Sequence, residues 1–553
     1  MVEQEQSTGR AGARSLLGLV LVLLLAAALR LFAFTWGLPD QTHLFSYHPD
    51  EFHSLRGALS LALGDLNPHF FNYGSLYLYL VALAAMIASP GLFFSVAQTT
   101  PGGPELPAAI RAWTLDARIV TLLLALATIY VVYLTASRIW GWGAGLLAAA
   151  ALAVMPLHVV HSRYATVDVP GAFFVALALY FGVKVGREPR RRHLLWAGVA
   201  AGLAASTKYS LGVVIIAPLL AWLLAPRIRG PLWQPPVLVI AGALVAFALT
   251  SPYTFLDWNN AWRDISFEMA HMRTGDDPAA LARDPNGWWF HLKQLNLALT
   301  WPLLGAAVWG AFAGLRRSPW QVAPLVVFLL LAFAVAGAVQ VRYARYEMAL
   351  LPPLAVLVGG VTAPVGPASR RWPQGLLCAL GMIAATWLSV LWLLTMGRVG
   401  FEDPRLTVVQ FARQLAAHEG TIALVSEPWF HHPPIDYCNG GAALRANPIW
   451  RAYQRPVCPF IIAGLDPGRV PGPLPDAWIF TSYDLAAPPE QVRAFLQALR
   501  GRYAHWWQSD EATGIVWPRR LWPAPAHDWL YLCPVIYWCS LTPVQRQAVP
   551  RHD

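Results

Sequence analysis

The stretch His48-Pro49-Asp50-Glu51 sets two adjacent carboxylates a dozen residues beyond a strongly apolar run, 15–36. Charged groups beside hydrocarbon are costly and are retained there mostly for binding or catalysis. Pro49 holds His48 extended, so both acids open whatever helix follows; a plain dipole-complementing helix start would use the same residues. Another acid, Asp168, follows the turn His161-Ser162-Arg163-Tyr164, and Lys208-Tyr209 puts a cation after a further apolar run. Arg342, Tyr343, Arg345, Tyr346 and Glu347 share one turn, while segment 252–296 adds Asp257, Asp264, Glu268, His271 and Arg273. A carboxylate can take a proton from an acceptor while fixed cations hold a departing phosphate. Each group also has a bland role. Lys208 can snorkel, Arg163 and Asp168 can neutralise one another, and Arg342 and Arg345, on one helix face, can pair with Glu347 or with lipid headgroups. His48, Asp50 and His53 offer ligand atoms for a divalent metal ion, although their spacing matches none of the strong zinc motifs.

The elements that must position these residues are membrane helices. Of 553 residues, 56% are hydrophobic and 13% charged, against about 25% charged in soluble domains. A net charge of +10 suggests a nucleic-acid partner until the basic residues are located: Arg10 and Arg14, Arg190 to Arg192, Arg227 and Arg229, Arg316 and Arg317, Arg370 and Arg371 all lie between apolar runs. That is the positive-inside pattern and excludes nucleic acid as the partner. Runs 15–36, 112–137, 142–160, 169–185, 194–208, 211–224, 236–251, 297–315, 322–339, 348–361 and 375–396 predict about 11 transmembrane helices. Run 73–96 is a further candidate. If it crossed, most later basic clusters would move outside, so it is taken as a juxtamembrane element. The amino terminus is then cytoplasmic and Asp50, Asp168, Lys208 and Arg345 all face the opposite side. The first run resembles a signal peptide but is too long for one, which favours a retained helix; Arg30 within it can snorkel outward or point inward at an anionic group.

After Met396 the composition shifts to Pro, Trp and turn residues. Residues 1–396 therefore form the transmembrane catalytic domain and 397–553 a small extracytoplasmic α/β domain, with strands over 421–425 and 477–481 and a helix over 489–500. Cys438 with Cys458 and Cys533 with Cys539 are the first disulfides to consider, on proximity alone. His431-His432 fits a surface loop pair or an acceptor contact. A transporter or lipid-linked-sugar flippase would also carry charges within a polytopic membrane protein, but no internal repeat of the transporter kind is visible and the charges gather at one face.

The joint pattern resembles the GT-C superfamily of polytopic glycosyltransferases, particularly the family 39 protein mannosyltransferases and bacterial aminoarabinose transferases. The resemblance runs from about Leu16 to Met396. It rests on the Arg-bearing first run before Asp50-Glu51, on Leu115-Asp116-Ala117-Arg118, on Ser162-Arg163-Tyr164 before Asp168-Val169-Pro170, on Gly202-Leu203-Ala204 with Ser206-Thr207-Lys208, and on Arg342-Tyr343, Arg345-Tyr346 and Leu350-Leu351-Pro352-Pro353. It implies a GT-C-type membrane enzyme, in a bacterial plasma membrane, that moves a sugar from a polyprenyl-phosphate carrier to a protein, lipid or glycan acceptor on the extracytoplasmic face, with inversion. By position, Asp50 looks like the base, with Glu51 and Asp168 as further catalytic acids. Lys208, Arg163, Arg342 and Arg345 would bind the donor phosphate, and His48, His53, Tyr209, His271 and Tyr346 would line the substrate. No cofactor is required by the pattern, and a divalent metal stays open. The stretch Phe71-Asn72-Tyr73-Gly74-Ser75-Leu76 departs from the Lys-Pro or Pro-Pro element of many relatives, which puts first-loop substrate contacts in doubt.

Overall fold

In the computed structural model, apolar runs become helices wherever no Pro or charge interrupts them. It describes residues 2–98, 105–226, 231–275, 281, 284–363, 372–401, 403–437, 456–457, 459–470, 472–509, 526–532 and 534–544. Among the described residues, six helices are long and apolar enough to cross a bilayer: Ala13–Leu31, Leu106–Trp140, Asp168–Arg187, Pro319–Ala338, Ala344–Thr362 and Pro373–Gly397. The protein is an integral membrane protein of the polytopic helical class.

Several of the eleven expected runs are broken instead of continuous. Run 297–315 divides at Thr300, whose φ of 78° turns the chain, so that Gly287–Leu299 and Trp301–Arg317 meet at 102°. Pro302 then suits the first turn of the second helix, where its missing N–H is no loss. Run 142–160 divides at Met155: Pro156 opens a new short helix, Pro156–His161, and Arg30 occupies the break. The Arg30 guanidinium is fully buried and donates to the carbonyls of Ala26 (3.0 Å) and Ala153 (2.9 Å) and to Ser162 Oγ (3.1 Å). It points inward to backbone and does not snorkel; buried carbonyls released by a helix break need such partners. The juxtamembrane run becomes Leu76–Ala88 and Pro90–Val96 with a 110° bend, and 13 residues of helix reach only about 20 Å of a roughly 30 Å hydrocarbon core. Gly202 shows how closely the helices pack: a Cβ there would meet the Ala243 carbonyl at 2.2 Å, so the Arg191–Thr207 helix lies directly on Gln234–Thr250, as small residues permit in membranes.

Beyond the last long helix, Trp372–Phe401, the chain builds a five-stranded sheet from β1 (Ile422–Leu424), β2 (Phe460–Ile462), β3 (Ala477–Thr481), β4 (His505–Gln508) and β5 (Ile536–Ser540), in the order β2-β1-β3-β5-β4. β1 runs parallel to β2 and β3, while β5 is antiparallel to β3 and β4. Strand alternation gives the sheet two faces. Ile422, Leu424 and Ile479 pack under the Pro404–Ala416 helix, and Ala423, Trp478 and Phe480 under Pro489–Arg500. Cys539, on β5, is a free thiol buried in that second layer, so the expected Cys533–Cys539 disulfide is not formed; burial raises the thiol to about 12. The Cys438–Cys458 expectation falls outside the described residues.

The short turn His527–Leu532 leaves this sheet and returns to the helical bundle. There Trp529 stacks on Trp392 at 5.0 Å, and the Ala526 N–H donates to Gln294 Oε1 at 3.2 Å.

Candidate active site

Three helix or turn starts and one helix end meet at one end of the bundle and carry the charged residues. Asp50 precedes the Glu51–Ser54 helix, Asp168 opens Asp168–Arg187, Lys208 ends Arg191–Thr207, and Arg345 lies in the 3₁₀ turn Ala344–Leu350. They form two ion pairs. Asp168 Oδ1 lies 2.9 Å from Lys208 Nζ, and Asp50 Oδ2 pairs with the Arg345 guanidinium. Arg345 is also within electrostatic range of Asp168, so the pairs form one network of two carboxylates and two cations. Lys208 Nζ sits 4.6 Å over the Tyr346 ring and the Arg345 guanidinium 4.2 Å over Tyr343; such stacking holds a cation in place without neutralising it.

Glu51 has a different environment from its neighbour. Both its carboxylate oxygens face Arg118, with Nε and Nη2 each at 2.7 Å, and the Ala165 N–H donates to Oε1 at 2.8 Å. Burial would raise this carboxyl, but Arg118 holds it below its ordinary value. Arg118 also donates to the carbonyls of Phe34 and Trp36, each at 2.8 Å. The pair therefore ties the end of the first helix, the first loop and the 162–167 turn together and commits both Glu51 oxygens to Arg118.

His48 is brought to the cluster. Its Nδ1 accepts the Asp50 N–H at 3.3 Å, and its ring lies 4.5 Å from Tyr164 and 5.2 Å from Tyr531. Burial lowers this imidazole well below its usual range, so it is neutral. Tyr346 is also at the cluster, through Lys208. His53 instead stacks on Phe70 at 5.0 Å and is lowered to about 4, by burial and then by Arg56. Tyr209 packs on Phe247 at 6.2 Å, and His271 lies along Phe267 on the Trp258–Thr274 helix.

Two of the expected phosphate-binding arginines hold backbone instead. Arg163 donates to the carbonyls of Phe32 and Leu29 (2.9 Å), where the first helix ends, and so does not neutralise Asp168. Arg342 donates to the carbonyls of Asp284 (3.2 Å), Pro285 (3.3 Å) and Val339. Arg342 precedes the turn that carries Arg345, so the two share no helix face; Glu347 faces His291 at 3.3 Å. A cavity of about 510 Å³ lies beside the first helix end, lined by Phe32, Trp36, Asp40, Arg111 and Met396 among others. None of its lining residues belongs to the charged network, and it is the network that has the chemistry of a site.

Residues 111–255 match the family model described as dolichyl-phosphate-mannose-protein mannosyltransferase. The chain is 31% identical over 262 residues, 44% of its length, to the undecaprenyl phosphate-alpha-4-amino-4-deoxy-L-arabinose arabinosyl transferase of Pseudomonas paraeruginosa, and that match spans 45% of the relative. ArnT from Cupriavidus metallidurans in the apo state superposes with a TM-score of 0.52 at 14% identity, covering 96% of this chain and 98% of ArnT. The same protein bound to undecaprenyl phosphate gives 0.51 at 15% identity, covering 97% and 100%. The likeness to ArnT shows a shared fold, and the chain spans about half the length of the curated relative that it matches.

Several residues at the network had no signal in their own sequence surroundings. Asp528 accepts the N–H groups of Ala344 (3.1 Å) and Arg345 (2.9 Å), fixing the turn that presents Arg345. Tyr531 faces His48, and Tyr73 lies in electrostatic range of Asp50, Arg345 and Asp168, its hydroxyl raised well above its usual value by burial first and Asp50 next. Gly74 sets the departing first-loop stretch: a Cβ there would meet the Ser206 carbonyl at 2.2 Å, so only Gly brings Tyr73 against the helix that ends in Lys208.

Proposed function

We propose that this chain is a GT-C-type glycosyltransferase that moves a sugar from a polyprenyl-phosphate carrier to an acceptor at the extracytoplasmic face, with inversion at the anomeric carbon. The observation that carries it is the interlocked set Asp50–Arg345 and Asp168–Lys208 at one end of the bundle. Each cation already holds an oxyanion. A lipid phosphodiester entering the network would bring its two non-bridging oxygens to Lys208 and Arg345 and displace the Asp50 carboxylate from Arg345, and both cations hold the leaving monoester, with its added charge and oxygen, more strongly than a carboxylate. That exchange frees Asp50 for the acceptor. The acceptor O–H proton goes to the Asp50 carboxylate, the acceptor oxygen forms its bond to the anomeric carbon, and the bond from that carbon to the phosphate oxygen breaks with its electron pair leaving on phosphate. Lys208 and Arg345 stabilise that growing charge. Asp168 stays beside Lys208 and sets its position. The pairing of Glu51 with Arg118 supports Asp50 over Glu51 as the base. The proton and bond changes are carried by Asp50, Lys208 and Arg345, and among the described residues the group of three His/Cys/Asp/Glu near enough to share an ion lies elsewhere.

A panel of polyprenyl-phosphate sugars and nucleotide sugars offered to purified protein tests the reading. Transfer from a lipid donor alone supports it, whereas transfer from a nucleotide sugar without lipid overturns it. Supporting the lipid-donor reading, the Cupriavidus protein of the same fold is described bound to undecaprenyl phosphate.

A further inference from the structure

His431, His432 and Asp484 bring one ligand atom each to within 4.8 Å of one another, in the domain outside the bundle and apart from the charged network. The adjacent histidines resemble an exposed loop pair in the sequence, yet both are buried, His432 completely. Their hydrogen bonds assign the free lone pairs. Asp484 Oδ2 accepts from the Thr481 N–H at 2.8 Å and from the Thr481 hydroxyl at 3.0 Å, while Ser426 donates to Oδ1. The one Thr481 hydroxyl proton is therefore used. His431 Nδ1, 2.9 Å from the same oxygen, must donate its N–H to it, which leaves the lone pair of this ring on Nε2. His432 Nε2 lies 3.1 Å from Asp484 Oδ2, and its Nδ1 has no hydrogen-bond partner among the described residues. A buried imidazole with an unpartnered nitrogen is unfavourable unless something else takes its lone pair.

We propose that His431, His432 and Asp484 bind a divalent transition metal of the zinc class. Two imidazoles and one carboxylate suit Zn²⁺ or Co²⁺, with ligand bonds of about 2.0–2.2 Å and a fourth position left for water; a site rich in nitrogen is unsuited to Mg²⁺ or Ca²⁺, which take oxygen. Thr481 and Ser426 form the outer layer that orients the ligands, one on His431 and both on the carboxylate. The ion would fasten the 426–432 loop to the turn after β3. That junction also holds Tyr483, stacked 4.9 Å from His431, and Phe430, 4.8 Å from Tyr531, which in turn faces His48. The site thus stands behind the aromatic wall of the charged network, and its existence does not depend on the glycosyl-transfer reading.

Full-length protein in detergent, stripped with chelator and titrated with Zn²⁺ or Co²⁺ alone, should bind about one equivalent per chain, with the visible absorption of low-coordinate Co²⁺. His432→Ala and Asp484→Asn should each lose at least about 100-fold in affinity and Thr481→Val about 10-fold, the usual effect of an outer-layer residue. Asp50→Asn should bind as the unsubstituted protein does, which separates this site from the charged network. Should a substituted chain not fold, protection of His431 and His432 from diethylpyrocarbonate by Zn²⁺, read by mass spectrometry on unsubstituted protein, gives the answer. Absence of binding below about 10 μM, equal binding by both ligand variants, or absence of histidine protection would overturn the proposal.

Discussion

Glu51 and Arg118 form a bidentate ion pair with both side chains buried, 2.7 Å at each of its two contacts, directly beside the partly exposed Asp50. Two neighbouring acids are thereby given different tasks by their partners. Removing the charge of Glu51 leaves Arg118 buried and unpaired, which typically destabilises by about 3–5 kcal/mol. Glu51→Gln is therefore expected to lower the melting temperature in detergent. The sign of the pH effect follows from the lowered carboxyl. The stabilisation is fully present above the ordinary Glu value of about 4.3 and is lost as pH falls toward the depressed folded-state value. Melting curves from pH 7 to pH 3 should show a steep acid limb that Glu51→Gln flattens; an unchanged limb would assign acid sensitivity to another group.

Asp50→Asn keeps shape and removes the proton acceptor. Turnover with a lipid donor should fall by about 100-fold or more, the usual contribution of a positioned base, while melting temperature changes little because Asp50 is one member of a partly solvated pair. Near-normal turnover would move the base to Asp168.

Lys208→Ala removes one charge-assisted contact to the carrier phosphate. At about 1.5–3 kcal/mol, the loss corresponds to roughly 10- to 100-fold weaker donor use. It also leaves Asp168 unpaired, so Lys208→Ala with Asp168→Asn should recover stability without recovering donor affinity. Recovery of both would make Lys208 a structural partner only.

Topology has its own test. With the Arg190 to Arg192 cluster inside, Arg191→Cys should resist a membrane-impermeant thiol reagent in intact cells and react after permeabilisation. Labelling from outside would require the bent Leu76–Ala88 and Pro90–Val96 pair to count as a crossing.

The sequence displayed the class and the charged turns because both rest on local signals: apolar length, basic clusters, and acids or cations at run ends. Strands at 422–424 and 477–481 were legible for the same reason, as short apolar runs between turns. Where helices break was less legible, since the interruption at Met155 depends on Arg30, 125 residues earlier, supplying hydrogen bonds to the freed carbonyls of Ala153 and Leu152. The roles of the arginines were equally hidden. Arg163 and Arg342 look like Arg345 in sequence, and only their surroundings direct the first two to carbonyls and the third to Asp50. A disulfide guessed from spacing failed because β5 points Cys539 into a packed layer.

Asp528 illustrates the same limit and supplies a sharper test. It lies more than 180 residues from the turn it caps, yet it accepts both N–H groups at the start of that turn, Ala344 and Arg345. Asp528→Asn retains one acceptor oxygen and loses the charge, so the backbone of Arg345 is held less firmly while the guanidinium remains. Positioning of Arg345 should then suffer more than folding. The expected outcome is roughly a 10-fold drop in kcat/KM for the lipid donor, with a small change in melting temperature, on the scale of about 1.5 kcal/mol for a hydrogen bond to a charged group. Tyr531→Phe keeps the ring against His48 but removes a hydroxyl in electrostatic range of Arg345, so it reports on the other contact that the same turn makes with the network. A matching loss in both variants would mean that the His527–Leu532 turn acts by covering the network as a whole; a loss confined to Asp528→Asn assigns it to the placement of Arg345.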